Sequence, residues 1–410
     1  MRVKTLVLLG AGASVDAGVP ASNSMSEKIG AILGASPMNV HRGVVHAFNY
    51  AVGAMIAHRS ASGANPYDGI DIEQLFSAVQ MLSEKEALEV APFVEWSSAL
   101  QAIGAPARIP PFFDKNLKKA LQQTRGFNDA GKLIEQLVHA VTGTKDSERT
   151  FKELEKQMLV ALVDLVEVQP SEVDYLQPLL DINGGAPVDI VTLNYDRSIE
   201  LAAEAAGKVC DTGITTWAGA QDWDWDAGAF VRLLKLHGSI DWLLLERDGP
   251  GGVSEPFVTI RQGPIENFEF SGSGGPGVVF GARGKVRARG PFLAMLRAFD
   301  DLLRTAERVL VIGYSFRDDH VNVALSRWLN SSAPRSLYVV DPGFADMTGW
   351  EHRGSYQSAL LQAAEHFNYQ AQTAQPKLHL HVSSEYARPA LAKFAEEGLE
   401  SIPLHVRQRP

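Results

Sequence analysis

A single cysteine, Cys210, stands in 410 residues, which excludes an intramolecular disulfide framework and a four-cysteine zinc ribbon. Cys210 reads as a small apolar filler. Positive charge is also scarce. Lys and Arg number 38 against 48 Asp and Glu, a net −10, which argues against direct nucleic-acid binding and against attachment to an anionic membrane. No apolar run is long enough to cross a bilayer, and Met1-Arg2-Val3-Lys4 leads into a short apolar segment without the features of a signal peptide. A cytoplasmic location is therefore expected. What is present is 45% hydrophobic residues, enough for a substantial core in one large α/β domain with additions, or in two domains.

The chain is organised around its beginning. Leu6, Val7, Leu8 and Leu9 form a continuous apolar run, short enough for a strand buried on both faces of a parallel sheet, and it stops at Gly10-Ala11-Gly12. Glycines at such a turn let the backbone approach a pyrophosphate, and Ser14 is placed to cap the following helix, whose first amides face an anion. Val15 stands where a third glycine is usual. The pattern alone serves equally as an ordinary strand-to-helix turn.

Beyond Pro20, helical spacing extends over Ser22 to Leu33, Asp71 to Leu82 and Asp146 to Val168, with loops at 59–69 and 104–114. From Val188 the texture changes to short buried strands alternating with helices. Val188 to Leu193 ends at Asn194-Tyr195-Asp196 and is followed by a helix from Ser198 to Ala206. Val231 to Leu236 ends at His237-Gly238-Ser239, Val309 to Ile312 at Gly313-Tyr314-Ser315, and Leu337 to Val340 at Asp341-Pro342. The expected fold is α/β: a doubly wound, Rossmann-like parallel sheet with a large helical insertion at about 25–180. A short C-terminal α/β extension over 346–410 carries a strand at Leu378 to Val382 and a helix from Ser384 to about Glu396. In such sheets ligands bind outside the carboxyl ends of the strands, so the polar strand endings should converge on the pocket that begins at Gly10.

Gly10-Ala11-Gly12-Ala13-Ser14 with Gly18-Val19-Pro20, then Thr192-Leu193-Asn194-Tyr195-Asp196, Leu236-His237-Gly238-Ser239 and Gly313-Tyr314-Ser315 resemble the ordered motif set of the sirtuin superfamily. The resemblance is closer to the prokaryotic sirtuin-like NADases of antiphage defence, and it covers roughly residues 1–345. It implies a domain that takes NAD as its substrate, with Asn194 and His237 as the catalytic pair. Two departures bear on activity. Protein-deacetylating sirtuins carry Asp-Phe-Arg where this chain has Ala21-Ser22-Asn23, and they build a zinc module from four cysteines, so no zinc is expected here. The resemblance further implies a regulated effector, a homo-oligomer working with a separate partner such as a HerA-type ATPase, with an Argonaute as a second candidate.

Cleaving the bond between nicotinamide and ribose develops an oxocarbenium-like sugar, which a water must meet from the opposite face. His237 at a strand end suits general-base work on that water or on a ribose hydroxyl. Asn194 can accept from a water and donate to the ribose at once, and Asp196 holds the nicotinamide-ribose region or orients Asn194. Gly10, Ala11, Gly12, Ser14 and Gly18 are assigned to the dinucleotide, with Thr192 beside them, Gly313 and Ser315 against phosphate or ribose, and Asp341 on the adenosine ribose. Each also has a structural use. Asn194 and Asp196 serve as a helix cap, His237 as a turn residue, Gly313 to Ser315 as a tight strand exit, and Asp341-Pro342 as a turn. Trp217, Trp223 and Trp225, interleaved with Asp222, Asp224 and Asp226, read as loop packing or as a wall of the nicotinamide side. The basic run Arg283, Lys285, Arg287 and Arg289 reads as a solvated loop or as a contact for phosphates or an acidic partner. A non-catalytic NAD or ADP-ribose sensor, an NAD-dependent deacetylase or ADP-ribosyltransferase, and a scaffold for a partner ring stand as alternatives to the hydrolase.

Overall fold

The computed structural model describes residues 4–35, 42–63, 65, 69–84, 144–217, 222–248, 252, 254–260, 275–278, 291–331, 335–344, 355–364, 367–368, 373–374 and 378–405. The loop at 104–114 and the basic run from Arg283 to Arg289 lie outside these. The chain divides into two units, Ser22–Leu162, and Met1–Ala21 with Val163–Pro410.

Among its described residues, the Ser22–Leu162 unit contains α1 (Ser22–Ala35), α2 (Arg42–Ala61), α3 (Ile72–Ser83) and most of α4 (Thr144–Val166). Asp71 caps α3 by accepting from the N–H groups of Glu73 (2.9 Å) and Gln74 (3.2 Å). Ile72, Leu75, Phe76 and Val79 fall on one stripe of α3 and are buried, as their spacing predicts. Gln80 and Ser83 tie α3 to α4 by donating to the two oxygens of Glu155, at 3.1 and 3.2 Å.

The other unit is built on a seven-stranded parallel sheet. Its strands are β1 (Thr5–Leu9), β2 (Val188–Thr192), β3 (Cys210–Asp211) and β4 (Val231–Lys235), then β8 (Arg308–Ile312), β9 (Ser336–Val340) and β12 (His379–Ser383). The order is β12-β9-β8-β1-β2-β4-β3. Between β4 and β8 the chain makes a second, antiparallel sheet of β5 (Gly238–Asp248), β6 (Ser254–Ile260) and β7 (Gly275–Val278), and a two-stranded ribbon, β10 (Phe367–Asn368) with β11 (Thr373–Ala374), precedes β12. The antiparallel sheet is not visible in the motif pattern, because its apolar run directly follows the His237 turn. Besides the end of α4, the described α-helices of this unit are α5 (Ser198–Ala205), α6 (Phe292–Thr305), α7 (Asp319–Ser331), α8 (Tyr356–Ala364) and α9 (Ala387–Glu397).

β1 and β2 are buried along their whole length, which is why they read as unbroken apolar runs rather than alternating ones. The exception, Asp189 of β2, is fully buried and faces the ammonium of Lys4 at 2.7 Å and the guanidinium of Arg232. Helices α6 and α7 supply Met295, Phe299, Leu325 and Trp328 to the core cluster. The strand and helix read near the C-terminus are the sheet's edge strand β12, parallel to β9, and α9, which packs on the short helices Ala11–Ala17 and Asp174–Asp181.

The chain enters the sheet at β1, moves out to β3 on one side, and then crosses to β8 on the other. The switch point of the winding therefore lies at the carboxyl ends of β1 and β8, where Gly10 and Gly313 stand.

Candidate functional site

At the switch point two backbone turns touch. Gly10 N–H donates to Ile312 O and Gly12 N–H to Gly313 O, both at 2.9 Å. A Cβ on Gly10 would lie 2.5 Å from Gly313 O, one on Gly12 would lie 2.7 Å from Gly313 Cα, and one on Gly313 would lie 2.3 Å from Gly12 C. These glycines are required by the contact between the two loops, and the N–H groups of Gly10 and Gly12 are engaged in it. Gly313 also has φ +61°, open to glycine at little cost.

The helix after Gly10 is a 3₁₀ helix over Ala11–Ala17, so Ala11 opens it and Ser14 lies inside it rather than at its cap. Gly10 occupies the cap position without a side chain to bond, and Gly18, at φ +88°, closes the helix with its N–H on Ser14 O and Val15 O. This turn is clamped from beneath. The Tyr175 hydroxyl donates to Ala13 O, and burial pushes its pKa up. The Arg388 guanidinium of α9 lies over the Tyr175 ring at 4.6 Å and donates to Asp16 O at 3.0 Å.

Ser14 has a different partner from the one expected. Asn194 Nδ2 donates to Ser14 Oγ and to Gly10 O, both at 2.9 Å, joining the exit of β2 to the glycine turn. The Asn194 N–H donates to Thr192 Oγ1 at 3.1 Å. With both amide hydrogens engaged, Asn194 offers Oδ1, an acceptor, rather than the donor to ribose that its residue type suggests. Asp196 accepts from Ser198 N–H at 3.0 Å, the local bond of a residue leading into a helix.

The exits of β2 and β4 are stitched together. Ile240 N–H donates to Tyr195 O at 3.0 Å. Lys235, the last residue of β4 and wholly buried, donates through Nζ to Asp196 O and to Glu200 Oε1, the latter at 2.8 Å. Burial raises the Glu200 carboxyl above its ordinary value and the Lys235 ammonium opposes that rise. The pair is charge-compensated, which a buried lysine requires.

His237 faces elsewhere. Its Nε2 lies 2.9 Å from Asp318 Oδ2, and the histidine and aspartate are 6% and 5% exposed. The Tyr195 ring is tilted against the imidazole at 6.3 Å. Asp318 lies three residues beyond Gly313-Tyr314-Ser315. The Gly313-Tyr314-Ser315 motif does not include it, and the continuation Phe316-Arg317-Asp318 is its signal in the sequence.

Two small cavities follow these side chains. One, about 10 Å³, is lined by Ser14, Thr192, Asn194, Asp196 and Glu200. The other, also about 10 Å³, is lined by His237, Phe292, Leu296, Asp318, His320 and Val321. Each has the space of one water molecule. The backbones of the Asn194 and His237 turns are thus adjacent, while their side chains line separate recesses.

The remaining expected positions are peripheral to these contacts. The Ser315 side chain is exposed, and its carbonyl accepts from Gln357 Nε2. Asp341 Oδ1 accepts from Gly343 N–H at 2.8 Å, the turn use of an Asp-Pro pair, and burial raises its pKa above the ordinary carboxylate value. Trp223 is 7% exposed, and Trp217 and Trp225 pack against the core cluster.

Residues 188–365, less than half of the chain, match the family described as SIR2-like domain. The match runs from β2 through α8 and takes in Asn194, Asp196, His237, Gly313, Asp318 and Asp341. It supports a sirtuin-like family, whose domains are in general NAD-dependent enzymes. No curated protein matches the chain. No described helix is long and apolar enough to cross a membrane.

Proposed function

We propose that this protein is an NAD glycohydrolase, which adds water to the bond between nicotinamide and ribose and releases nicotinamide and ADP-ribose. One observation carries the reading: Ser14, Asn194 and His237 stand at the carboxyl ends of β1, β2 and β4, where a parallel α/β sheet presents its ligand site. In this reading Asn194 Oδ1 accepts a hydrogen from the ribose or from the attacking water, held in place by the engagement of Nδ2 with Ser14 and Gly10. His237 takes the proton that water or a ribose hydroxyl must lose as the sugar becomes oxocarbenium-like. The motif resemblance extends the reading to a regulated effector of antiphage defence that depletes NAD, acting as a homo-oligomer with a partner such as a HerA-type ATPase or an Argonaute.

The test is NAD consumption by the purified chain, with both products resolved by chromatography, beside His237→Ala and Asn194→Ala. Release of nicotinamide and ADP-ribose in equal amounts, falling at least a hundredfold or so in each variant, is expected for a base and a positioning amide. Binding of NAD without consumption would point to a missing activating partner or to the sensor alternative. Neither binding nor consumption would end the pocket reading.

A further inference from the structure

We propose that Asp318 is the positioning residue of His237: it holds the imidazole in the Nε2–H tautomer, so that Nδ1 carries the lone pair that acts as base. The proposal rests on the reading of His237 as that base, and three features of the structure carry it.

The first is the division of partners around the ring. Nε2 lies 2.9 Å from Asp318 Oδ2, whereas the buried Nδ1 has no hydrogen-bond partner among the described residues. A carboxylate accepts only, so a neutral imidazole facing it must place its proton on Nε2. Nδ1 is then the acceptor, buried and unpaired, an expensive arrangement unless something is received there.

The second is the aim of the carboxylate. Its other oxygen, Oδ1, accepts from the N–H groups of His320 (3.1 Å) and Val321 (3.5 Å) at the start of α7. The two oxygens therefore have separate tasks, and the helix terminus fixes the rotation of the group that addresses His237.

The third is the loop that delivers Asp318. Phe316 has φ +54°, a left-handed conformation that a bulky residue adopts only under constraint. Asn322 Nδ2 holds the Phe316 carbonyl at 2.8 Å, and the Asp318 N–H donates to the Tyr314 hydroxyl at 3.1 Å. That hydroxyl lies 3.1 Å from Asn322 Oδ1. Strain held by side-chain bonds, ending on a carboxylate at the ring of a histidine, is the form of a preorganised support.

Asp318→Asn tests this in the full chain. The asparagine keeps its Oδ1 on the His320 N–H, since the reverse orientation would set donor against donor. Its Nδ2 then faces His237 Nε2 and can only donate, which forces the proton onto Nδ1 and turns the lone pair away from the substrate. The first readout is the ring-nitrogen NMR spectrum of ¹⁵N-histidine-labelled protein at alkaline pH, with the His237 signals assigned by their loss in His237→Gln. An Nε2–H tautomer in the wild type and an Nδ1–H tautomer in Asp318→Asn are expected, with the thermal midpoint little changed. The second readout is turnover, where kcat should fall roughly a hundredfold or more at nearly constant KM. An Nδ1–H tautomer in the wild type, persistence of Nε2–H in the variant, or unchanged kcat after the switch would each overturn the proposal. If the wild type neither binds nor consumes NAD, the hydrolase reading fails, and whether or not it turns over, the tautomer measurement still decides whether Asp318 orients His237.

Discussion

Gly313→Ala is the sharpest test of the loop contact at the switch point. The first contribution is conformational: alanine at φ +61° costs about 1–2 kcal/mol. The second is steric. The new methyl would lie 2.3 Å from Gly12 C and 2.4 Å from Ala13 N, and both are backbone atoms that no side-chain rotation can move aside. Relief requires the two turns to separate, at an overpacking cost of about 1–3 kcal/mol. Separation also stretches the bond from Gly12 N–H to Gly313 O, now 2.9 Å, with a net loss of about 1 kcal/mol. The sum is roughly 3–6 kcal/mol. Gly18→Ala is the control, because its φ is +88° yet nothing lies within 4 Å of the new methyl, so only the conformational cost of about 1–2 kcal/mol applies. Urea unfolding followed by tryptophan fluorescence suits both variants, since Trp223, Trp242 and Trp328 are buried in the unit that holds both glycines. Equal destabilisation by the two substitutions would refute the close approach as the reason for Gly313.

Lys235→Met leaves Glu200 without its cation and should destabilise by about 3–5 kcal/mol at neutral pH in urea unfolding. The loss should shrink in acid, because burial already raises the Glu200 carboxyl and protonation neutralises it; the double variant with Glu200→Gln should recover most of the stability. Burial raises the folded pKa of Asp341 above the ordinary carboxyl value of 3.8, so between that value and the folded pKa the native state holds more protons and stability falls as pH rises. The thermal midpoint of Asp341→Asn relative to wild type should therefore be higher at neutral pH than at the acid end of that window.

Much of the fold is legible because burial on both faces of a parallel sheet leaves a plain trace. The runs at Leu6, Val188, Val231, Val309 and Leu337 each match a strand to within a residue or so at either end, and each ends where a polar or glycine residue leaves the sheet. α3 is legible for the same kind of reason, a 3.6-residue stripe preceded by a capping aspartate. The antiparallel sheet from Gly238 is not, since a buried apolar run beside a turn carries no record of its pairing direction.

The residue types at the strand exits are a property of the sequence alone: Gly10, Asn194, His237 and Gly313 follow apolar runs, and the winding rule sends such exits to one edge. What each does there was decided by contacts between segments far apart in the chain. Asn194 meets Ser14 across 180 positions and His237 meets Asp318 across 81, and no local propensity encodes such a pairing. The glycines illustrate the same division. Their place after a strand was visible, but only the packed sheet shows that Gly10 and Gly12 face Gly313, because hydrogen-bond capacity and excluded volume are settled when strands β1 and β8 become neighbours.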